Sequence, residues 1–474
     1  MQPIQTTRTE HDFLGVKSIP ADVYWGVHTA RAVENFPISG QPVGAWSDLV
    51  CALAFVKRAS AQANLSYGVL DARLADAIER ACDDLVRGEL HDQFVVDVIQ
   101  GGAGTSTNMN ANEVIANRAL ERLGFARGRY DVLHPNDHVN ASQSTNDVYP
   151  TALRLAAWFG IGRLLSAMAD LRVAFEAKAL EFSSILKIGR TQLQDAVPMT
   201  LGQEFMAFAI MIGEDEQRLR EARALITEVN LGATAIGTGI NAPAGYAEKV
   251  IGLLADISGV PVVKSANLVE ATQDTGAFVQ LSGVLKRVAC KLSKICNDLR
   301  LLSSGPQAGF GDIRLPPRQA GSSIMPGKVN PVIPEVMNQV AFEVIGNDVT
   351  ITMASEAGQL QLNAFEPIMG WALAKSVKHL TNACRTLQVN CVEGIQANTE
   401  LLARRVAESV TLVTALNPII GYEKAALIAK TALATGGTIA ATAESLDIMK
   451  RSDMEALLVP ETLTHPVRLV DLGS

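Results

Sequence analysis

The sequence has few aromatic residues, few cysteines and no excess of positive charge. Aromatic residues make up only 5% of the 474 residues although 48% are hydrophobic. The core must therefore be largely aliphatic and alanine-rich, a composition that favours closely packed helices. The net charge of −8 excludes the basic surface that sequence-independent binding of nucleic acid requires. The six cysteines show no CxxC pairing, which predicts buried thiols in a reducing compartment and argues against disulfides.

Long apolar runs are lacking as well. No run approaches the roughly 20 apolar residues that a membrane-spanning helix needs, and the polar N-terminus lacks the apolar segment of a signal peptide. We therefore expect a cytoplasmic protein that has no membrane partner. The mean hydropathy of +0.17 is high for a soluble chain, which indicates that apolar surface is buried between the subunits of an oligomer.

Helical periodicity extends far beyond the usual three turns in five segments. One runs from Ala271 to Leu302 and ends at Ser303–Pro306, where glycine permits a left-handed cap and proline cannot continue the helix. The others are Thr151–Phe182, Met199–Glu228, Pro334–Leu360 and Glu366–Ile395. Five long helices predict a bundle. Since the Thr151–Phe182 segment is apolar nearly all round, we expect bundles of different subunits to pack together.

The fold class expected from these patterns is mainly α, with three domains. Periods are shorter and turns more frequent before about residue 145 and after about residue 398. We therefore predict a mostly helical N-terminal domain over 1–145, a central helix-bundle domain over 146–398 and a small helical C-terminal domain over 399–474.

Four polar segments interrupt the hydrophobic pattern and mostly lead into a long helix. They are Gly101–Asn110, Asn140–Asp147, Gly189–Asp195 and Ala320–Pro331. Ser, Thr and Asn often cap helices, and capping is the simpler explanation for any one segment. Four such segments exceed what capping needs, and converging helix N-termini attract anions. The pattern therefore predicts a site for a small di-anion, held by hydroxyls, amides and one or two cations.

Nucleotide and metal motifs do not fit these segments. Five residues separate Gly321 from Gly327, and Val329 stands where a phosphate-binding loop needs Ser or Thr. His134 and His138 are four residues apart, but the intervening proline argues against a shared helical face. We therefore expect no metal and no cofactor.

The adjacent serines Ser322 and Ser323 suggest the chemistry. Lys328 follows Ser322 by six residues, and glycines flank the segment on both sides. A serine hydroxyl is neutral at pH 7, but backbone N–H donors, a helix N-terminus and an ammonium can stabilise its alkoxide. No GxSxG elbow and no Ser-His-Asp set for acyl transfer is evident. A serine base that abstracts a carbon-bound proton is therefore a coherent hypothesis.

The segment GSSIMPGKVNP (Gly321–Pro331) resembles the signature loop of the fumarase/aspartase superfamily, whose members eliminate a group from a succinyl unit to release fumarate. The resemblance extends from Asp22–Asn35 almost to the end of the chain. Four segments are similar to the aspartase branch: Gly101–Val114, Gly189–Phe205, Asn230–Gly239 and Pro331–Val336. The resemblance implies reversible elimination of ammonia from L-aspartate to give fumarate, without a cofactor. The alternative is fumarate hydratase activity, which would use the same loop.

The resemblance also implies roles for particular residues. Ser322 would be the base that removes the β-proton of aspartate, giving an enediolate (aci-carboxylate) intermediate. The implied substrate-binding residues are Ser323, Lys328 and Asn330 for a carboxylate, Thr105, Ser144, Thr145 and Asn146 for the other end of the substrate and its amino group, Thr191 and Gln192 for the β-carboxylate, and Arg31 as a further cation.

Two further features follow from the resemblance. In the family, these groups come from three subunits of a homotetramer with a twenty-helix core, to which the five-helix domain would contribute. Many members carry a histidine where Gln192 stands, paired with a glutamate that corresponds to Glu335. That relay cannot exist here, and ammonia can leave as an amine that is already protonated in the bound substrate.

Overall fold

The mainly α fold predicted from the sequence is confirmed. The structure is a computed structural model that describes residues 6–321, 324–457 and 459–465. The N-terminal part begins with an antiparallel hairpin and continues with helices. Its elements are β1 (Thr7–Asp12), β2 (Gly15–Pro20), α1 (Val27–Asn35), α2 (Ser47–Ser66), α3 (Ala72–Val86) and α4 (Thr105–Arg122).

The five predicted long helices are present. The helices of the middle part are α5 (Thr145–Glu181), α6 (Leu201–Leu225), α7 (Tyr246–Ser258), α8 (Leu268–Ala271), α9 (Gly276–Leu302), α10 (Val332–Glu356) and α11 (Glu366–Asn390). The predicted ends of the five long ones agree with the observed ends to within six residues. At about 1.5 Å per residue, α5 is roughly 55 Å long.

The largest difference lies at the start of α5, which begins six residues before the predicted Thr151. Pro150 lies inside the helix and cannot donate to the carbonyl of Asn146. Asn230 Nδ2 donates to that carbonyl instead, at 3.0 Å. A side chain distant in sequence therefore satisfies the carbonyl that the proline leaves open, and the helix continues toward its N-terminus.

The remaining described elements are short strands and short helices. The remaining strands are β3 (Leu186–Thr191), β4 (Gln194–Thr200), β5 (Glu228–Val229), β6 (Val263–Lys264), β7 (Ile313–Arg314) and β8 (Gln396–Ala397). The pairs β3–β4 and β7–β8 are antiparallel, and β5–β6 is parallel. The C-terminal helices are α12 (Thr399–Glu408), α13 (Asn417–Ile420), α14 (Tyr422–Thr435), α15 (Ile439–Ser445), α16 (Arg451–Leu457) and α17 (Pro460–Thr464). The sequence patterns did not predict the hairpins.

Helix α5 is largely covered by the chain itself. Contrary to the expectation that no segment is long enough, α5 is long and apolar enough to cross a membrane by length and composition, but 61% of its most apolar window is buried within the protein, as in the core helix of a soluble protein. The helices Tyr422–Thr435 and Ile439–Ser445 are long and apolar enough for a membrane span only if they are counted together, and the chain bends by 109° between them. Exposed apolar side chains lie on other long helices: Met206 and Ile210 on α6, and Phe342, Val349 and Met353 on α10.

The chain forms two compact units, each assembled from three segments. The first unit consists of Met1–Leu165, Gln217–Ala289 and Phe342–Thr381. The second consists of Ser166–Glu216, Cys290–Ala341 and Asn382–Ser474. The three-domain division with boundaries near 145 and 398 stays a prediction.

Candidate active site

The N-terminus of α4 requires a glycine and is capped from outside the helix. Gly104 has φ +87°, and a Cβ atom there would lie 2.4 Å from the ring of Tyr149. Only glycine therefore lets the start of α4 pack on the first turns of α5. Gln100 Oε1 accepts hydrogen bonds from the N–H and the hydroxyl of Thr107, both at 3.0 Å. Because Gln100 caps the helix, the Thr105 side chain is not needed for that purpose.

Thr105 and Ser144 differ in how their hydroxyls are used. Thr105 is exposed at the start of α4, and its Oγ1 donates to the carbonyl of Gly102 at 2.7 Å. Ser144 is the N-cap of α5. Its Oγ accepts the N–H of Asn146 at 3.2 Å, and its own N–H donates to Asp147 Oδ1 at 3.0 Å, as in a capping box. Helix capping thus explains part of the hydrogen bonding of Ser144, but it does not explain why a hydroxyl side chain occupies position 105.

Asp147 fastens the start of α5 to a neighbouring loop. Its Oδ2 accepts hydrogen bonds from the N–H groups of Gly232 at 3.1 Å and Thr234 at 2.8 Å. Asn146 Nδ2 donates to the carbonyl of Ala235 in the same loop, at 2.7 Å. Burial raises the pKa of Asp147 to about 7, against the lowering effect of these hydrogen bonds. The position of the polar turn is therefore set by a fully buried carboxyl group.

The Thr145 hydroxyl is held by a relay of buried amides. Asn108 Nδ2 donates both to Thr145 Oγ1 and to Asn140 Oδ1, each at 3.1 Å. Lys57 Nζ, on α2, donates to Asn140 Oδ1 at 2.8 Å and to Gln143 Oε1 at 3.0 Å. Lys57 is fully buried, and this burial lowers its pKa to about 7. The polar turn before α5 therefore rests on a lysine that the sequence patterns did not identify.

Arg31 is engaged by a carboxylate in the structure. Its Nε and Nη2 donate to the two oxygens of Asp12 at 2.8 and 2.9 Å, and these bonds lower the pKa of Asp12. The helix that carries Arg31 is fixed at its start by Glu113, which accepts the N–H groups of Gly26 and His28 at 2.8 Å. The role of Arg31 as a substrate ligand stays a prediction.

Thr191 and Gln192 lie at the tip of the β3–β4 hairpin. Thr191 pairs with Gln194, so that Gln192 and Leu193 form a two-residue turn. Both turn residues have positive φ, 54° and 64°, as the favoured hairpin turn requires, although asparagine and glycine usually occupy it. Left-handed backbone at such residues costs about 1–2 kcal/mol each. The protein thus holds two exposed side chains in an unfavourable conformation at a predicted substrate-binding position.

A buried ion cluster supports this hairpin. Asp312 is completely buried, and three cations surround its carboxylate: Arg405 Nη1 at 2.6 Å, Arg190 Nη1 at 2.7 Å and Lys187 Nζ at 3.3 Å. Lys187 and Arg190 belong to β3, the strand that ends at Thr191. One acidic side chain therefore anchors the strand that presents the predicted substrate ligands.

The signature loop closes on itself before α10. Gly321 N–H donates to the carbonyl of Lys328 at 2.8 Å, and Asn330 Nδ2 donates to the carbonyl of Gly321 at 3.2 Å. A Cβ atom on Gly321 would lie 2.5 Å from the Lys328 carbonyl oxygen, so this closure requires glycine. Lys328 is exposed and Asn330 half-buried. Ser322 and Ser323 lie outside the described residues.

The predicted site residues fall into two groups. The first compact unit brings Thr105, Ser144, Thr145 and Asn146 together at the paired starts of α4 and α5, and it also carries Arg31. The second unit carries Thr191, Gln192, Lys328 and Asn330 on the hairpin and the signature loop. Their assignment as substrate ligands stays a prediction.

Sequence reasoning missed the residues that hold these groups in place. Lys57, Asn108, Asp147 and Asp312 are buried polar side chains, and their partners are distant in sequence. Asn108 and Asp147 do lie in two of the polar segments, Gly101–Asn110 and Asn140–Asp147, and the signal for Lys57 was a lysine within the alanine-rich α2. Within residues 6–321, 324–457 and 459–465 there is no group of three or more His, Cys, Asp or Glu side chains that could hold a metal ion.

Comparison with known proteins gives matches along most of the chain. Residues 15–346 match the family model described as "Lyase", and residues 412–465 match the one described as "Fumarase C C-terminus". The chain is 56% identical to the aspartate ammonia-lyase of Pseudomonas aeruginosa over 473 residues, covering 100% of both chains.

Two solved structures are similar throughout. The fumarate lyase:delta crystallin from Brucella melitensis bound to cobalt is 57% identical, with a TM-score of 0.95 over 97% of this chain and 100% of that one. The class II fumarase from Schistosoma mansoni is 33% identical, with a TM-score of 0.92 over 98% and 100%. The long-helix fold shared with these proteins and the match to the "Lyase" family model define an enzyme of the lyase class. The chain belongs to the fumarase/aspartase superfamily, which confirms the resemblance predicted from Gly321–Pro331.

Proposed function

We propose that this chain is a carbon–nitrogen lyase that catalyses the reversible elimination of ammonia from L-aspartate to give fumarate. The observation that carries the proposal is the hydrogen-bond polarity at the starts of α4 and α5. Thr105 Oγ1 donates to Gly102, and Asn146 Nδ2 donates to Ala235, so each retains an oxygen that can accept a hydrogen bond. Two acceptors suit a substrate ammonium, which has only donors.

The neighbouring hydroxyls have the opposite polarity. Ser144 Oγ accepts the N–H of Asn146, and Thr145 Oγ1 accepts from Asn108. Each hydroxyl therefore keeps its hydrogen for a ligand, which suits a carboxylate. One face thus offers acceptors for an amino group beside donors for a carboxylate, the arrangement that an amino acid requires. The similarity to proteins named aspartate ammonia-lyase, at 51–56% identity over nearly the whole chain, supports the same substrate.

The reaction we propose begins with proton removal by the Ser322 alkoxide. The electron pair of the broken Cβ–H bond moves into the β-carboxylate and forms an enediolate with two negative charges. Ser323, Lys328 and Asn330 would stabilise this charge, with Thr191 and Gln192 at the β-carboxylate. The electron pair then returns to form the carbon–carbon double bond while the Cα–N bond breaks and ammonia leaves. Because a carboxylate activates its neighbouring C–H bond poorly, preorganised donors must supply most of the barrier reduction.

We further propose a cytoplasmic homotetramer with a twenty-helix core, in which three subunits contribute to each active site. The exposed apolar side chains on α6 and α10, such as Ile210, Phe342 and Met353, support this assembly because exposed apolar patches mark interaction surfaces. Light scattering tests the assembly, and a stable, active monomer would contradict it.

Fumarate hydratase activity is the alternative, which the similarity to the Schistosoma mansoni fumarase supports. The two are distinguished by following the ultraviolet absorbance of fumarate with aspartate or malate as substrate. We expect product from aspartate, since two hydrogen-bond acceptors match an ammonium better than a hydroxyl. Activity on malate alone would refute the proposed deamination.

A further inference from the structure

The relay behind Thr145 has a direction that one residue fixes. A lysine ammonium has three donors and no acceptor. The atom of Asn140 that faces Lys57 Nζ at 2.8 Å must therefore be its oxygen, Oδ1. The same oxygen lies 3.1 Å from the Asn108 side chain, so Asn108 must present its NH2 group there. The other end of the Asn140 amide agrees, because its Nδ2 donates to the carbonyl of Gln143 at 3.3 Å and a carbonyl can only accept.

The orientation of the Asn108 amide determines in turn how the Thr145 hydroxyl is hydrogen-bonded. The second hydrogen of the Asn108 NH2 group donates to Thr145 Oγ1 at 3.1 Å. With Oγ1 occupied as an acceptor on that side, the hydroxyl hydrogen of Thr145 points elsewhere and is available to donate. Asn108 is 1% exposed and Lys57 is fully buried, so solvent does not compete for these bonds.

We propose that Asn108 is a positioning residue that orients the Thr145 hydroxyl as a donor toward a carboxylate of the substrate. This rests on the proposed function, because it takes Thr145 to be a ligand of a dicarboxylate. Asn108 itself does not contact the substrate. Because Asn140 and Lys57 fix the orientation of the Asn108 amide, Asn108 determines that the hydrogen of the Thr145 hydroxyl, and not an oxygen lone pair, faces the ligand.

The structure offers a matched control on the same helix. Asn112 lies one turn after Asn108 on α4, is equally buried, and its Nδ2 also donates to Asn140 Oδ1 at 3.1 Å. In the part of the chain that the structure describes, its Nδ2 donates to Asn140 Oδ1 and lies 3.5 Å from Met109 Sδ, and it makes no hydrogen bond to Thr145. The substitutions Asn108→Asp and Asn112→Asp each place a carboxylate in the same buried cluster, and only Asn108→Asp reverses the hydrogen bond to Thr145.

The experiment compares these two variants in steady-state kinetics with aspartate and in calorimetric titration with succinate, a dicarboxylate that cannot eliminate. In Asn108→Asp, the Thr145 hydroxyl must donate its hydrogen to the new carboxylate at position 108. A lone pair of Thr145 Oγ1 then faces the ligand in place of the hydrogen. We expect a rise of about 10- to 100-fold in KM and in the succinate Kd, because hydrogen bonds to charged groups are among the stronger ones. Since this contact is made in both ground and transition states, kcat should change far less. Asn112→Asp should keep KM and Kd within about twofold of wild type, since Asn112 shares the partner Asn140 with Asn108 but only Asn108 donates to Thr145.

A double-mutant cycle with Thr145→Val isolates the contact. If Asn108 acts through Thr145, Asn108→Asp should have little further effect on KM once the hydroxyl is absent. Equal effects of the Asp substitution in both backgrounds, or equal effects at positions 108 and 112, would overturn the proposal. If the Asp variants fail to fold, Asn108→Ala and Asn112→Ala repeat the comparison, with a smaller KM increase expected at position 108 only. Failure of the proposed function is distinguishable, since wild type would then not convert aspartate.

Discussion

Replacing Asp312 by asparagine removes one charge while leaving the shape of the side chain almost unchanged. In the structure this carboxylate is fully buried between Arg405 at 2.6 Å, Arg190 at 2.7 Å and Lys187 at 3.3 Å. Lys187 is itself 2% exposed but keeps Glu204 Oε2 as a second partner at 2.6 Å, and the side chains of Arg190 and Arg405 are 15% and 32% exposed. Because the remaining cations are thus partly compensated or partly hydrated, we expect a loss of about 1.5–3 kcal/mol, the contribution of a hydrogen bond to a charged group, and not the larger cost of an isolated buried charge.

The matched control is Asp76→Asn, which makes the same substitution in a solvent-exposed pair. Asp76 lies 3.0 Å from Arg80, and both side chains are more than 60% exposed. Exposed pairs of this kind contribute about 0.3–0.5 kcal/mol on a helix. Urea unfolding followed by circular dichroism measures both variants at one protein concentration, which matters because oligomer stability depends on concentration.

Asp312→Asn should also affect substrate binding, since Lys187 and Arg190 belong to the strand that ends at Thr191. We expect KM for aspartate to rise in Asp312→Asn and to stay at the wild-type value in Asp76→Asn. The reasoning about the buried cluster is wrong if the two variants lose the same small amount of stability.

Two further predictions concern the packing and titration of buried groups. Gly104→Ala should destabilise the protein by more than about 3 kcal/mol, since it adds left-handed backbone strain to a clash with Tyr149. The control is Gly124→Ala, where φ is +83° and no atom lies near the added methyl group, so that only the backbone strain is expected. Equal losses of unfolding free energy in the two variants would contradict the clash. Burial raises the pKa of Glu366 from 4.5 to about 8, against the lowering effect of Arg154, so its contribution to stability is complete below pH 4.5 and is lost as pH rises through 8. Glu366→Gln should remove this pH-dependent loss of stability, which is on the order of 5 kcal/mol. At pH 9 the unfolding free energy of wild type should therefore fall below that of the variant. If the unfolding free energies of the two proteins change with pH in parallel, the raised pKa of Glu366 is refuted.

The long helices could be predicted because their apolar spacing is a local property of the sequence. The start of α5 could not, because Pro150 reads as a helix boundary. The helix continues only because Asn230 supplies the hydrogen bond that the proline cannot make. The β3–β4 hairpin was missed for a related reason, since its two-residue turn has Gln192 and Leu193 where asparagine and glycine would have signalled it.

The candidate site was predictable to the extent that it consists of polar residues at helix starts. Thr105 and Thr145 were visible as hydroxyls in polar segments. The polarity of the Thr145 hydroxyl was not, because it depends on Lys57, which lies 83 residues from its partner Asn140. A lysine within an alanine-rich helix does not reveal its partners, and the direction of a hydrogen bond is fixed only once the partners are known.

The most direct test of the account is the turnover of Ser322→Ala with L-aspartate, followed by the ultraviolet absorbance of fumarate. If Ser322 is the base, turnover should fall by about 10²–10⁴-fold, the usual contribution of a positioned base, while the oligomer and the circular dichroism spectrum stay unchanged. Turnover near the wild-type value would show that another group removes the β-proton and would contradict the central claim.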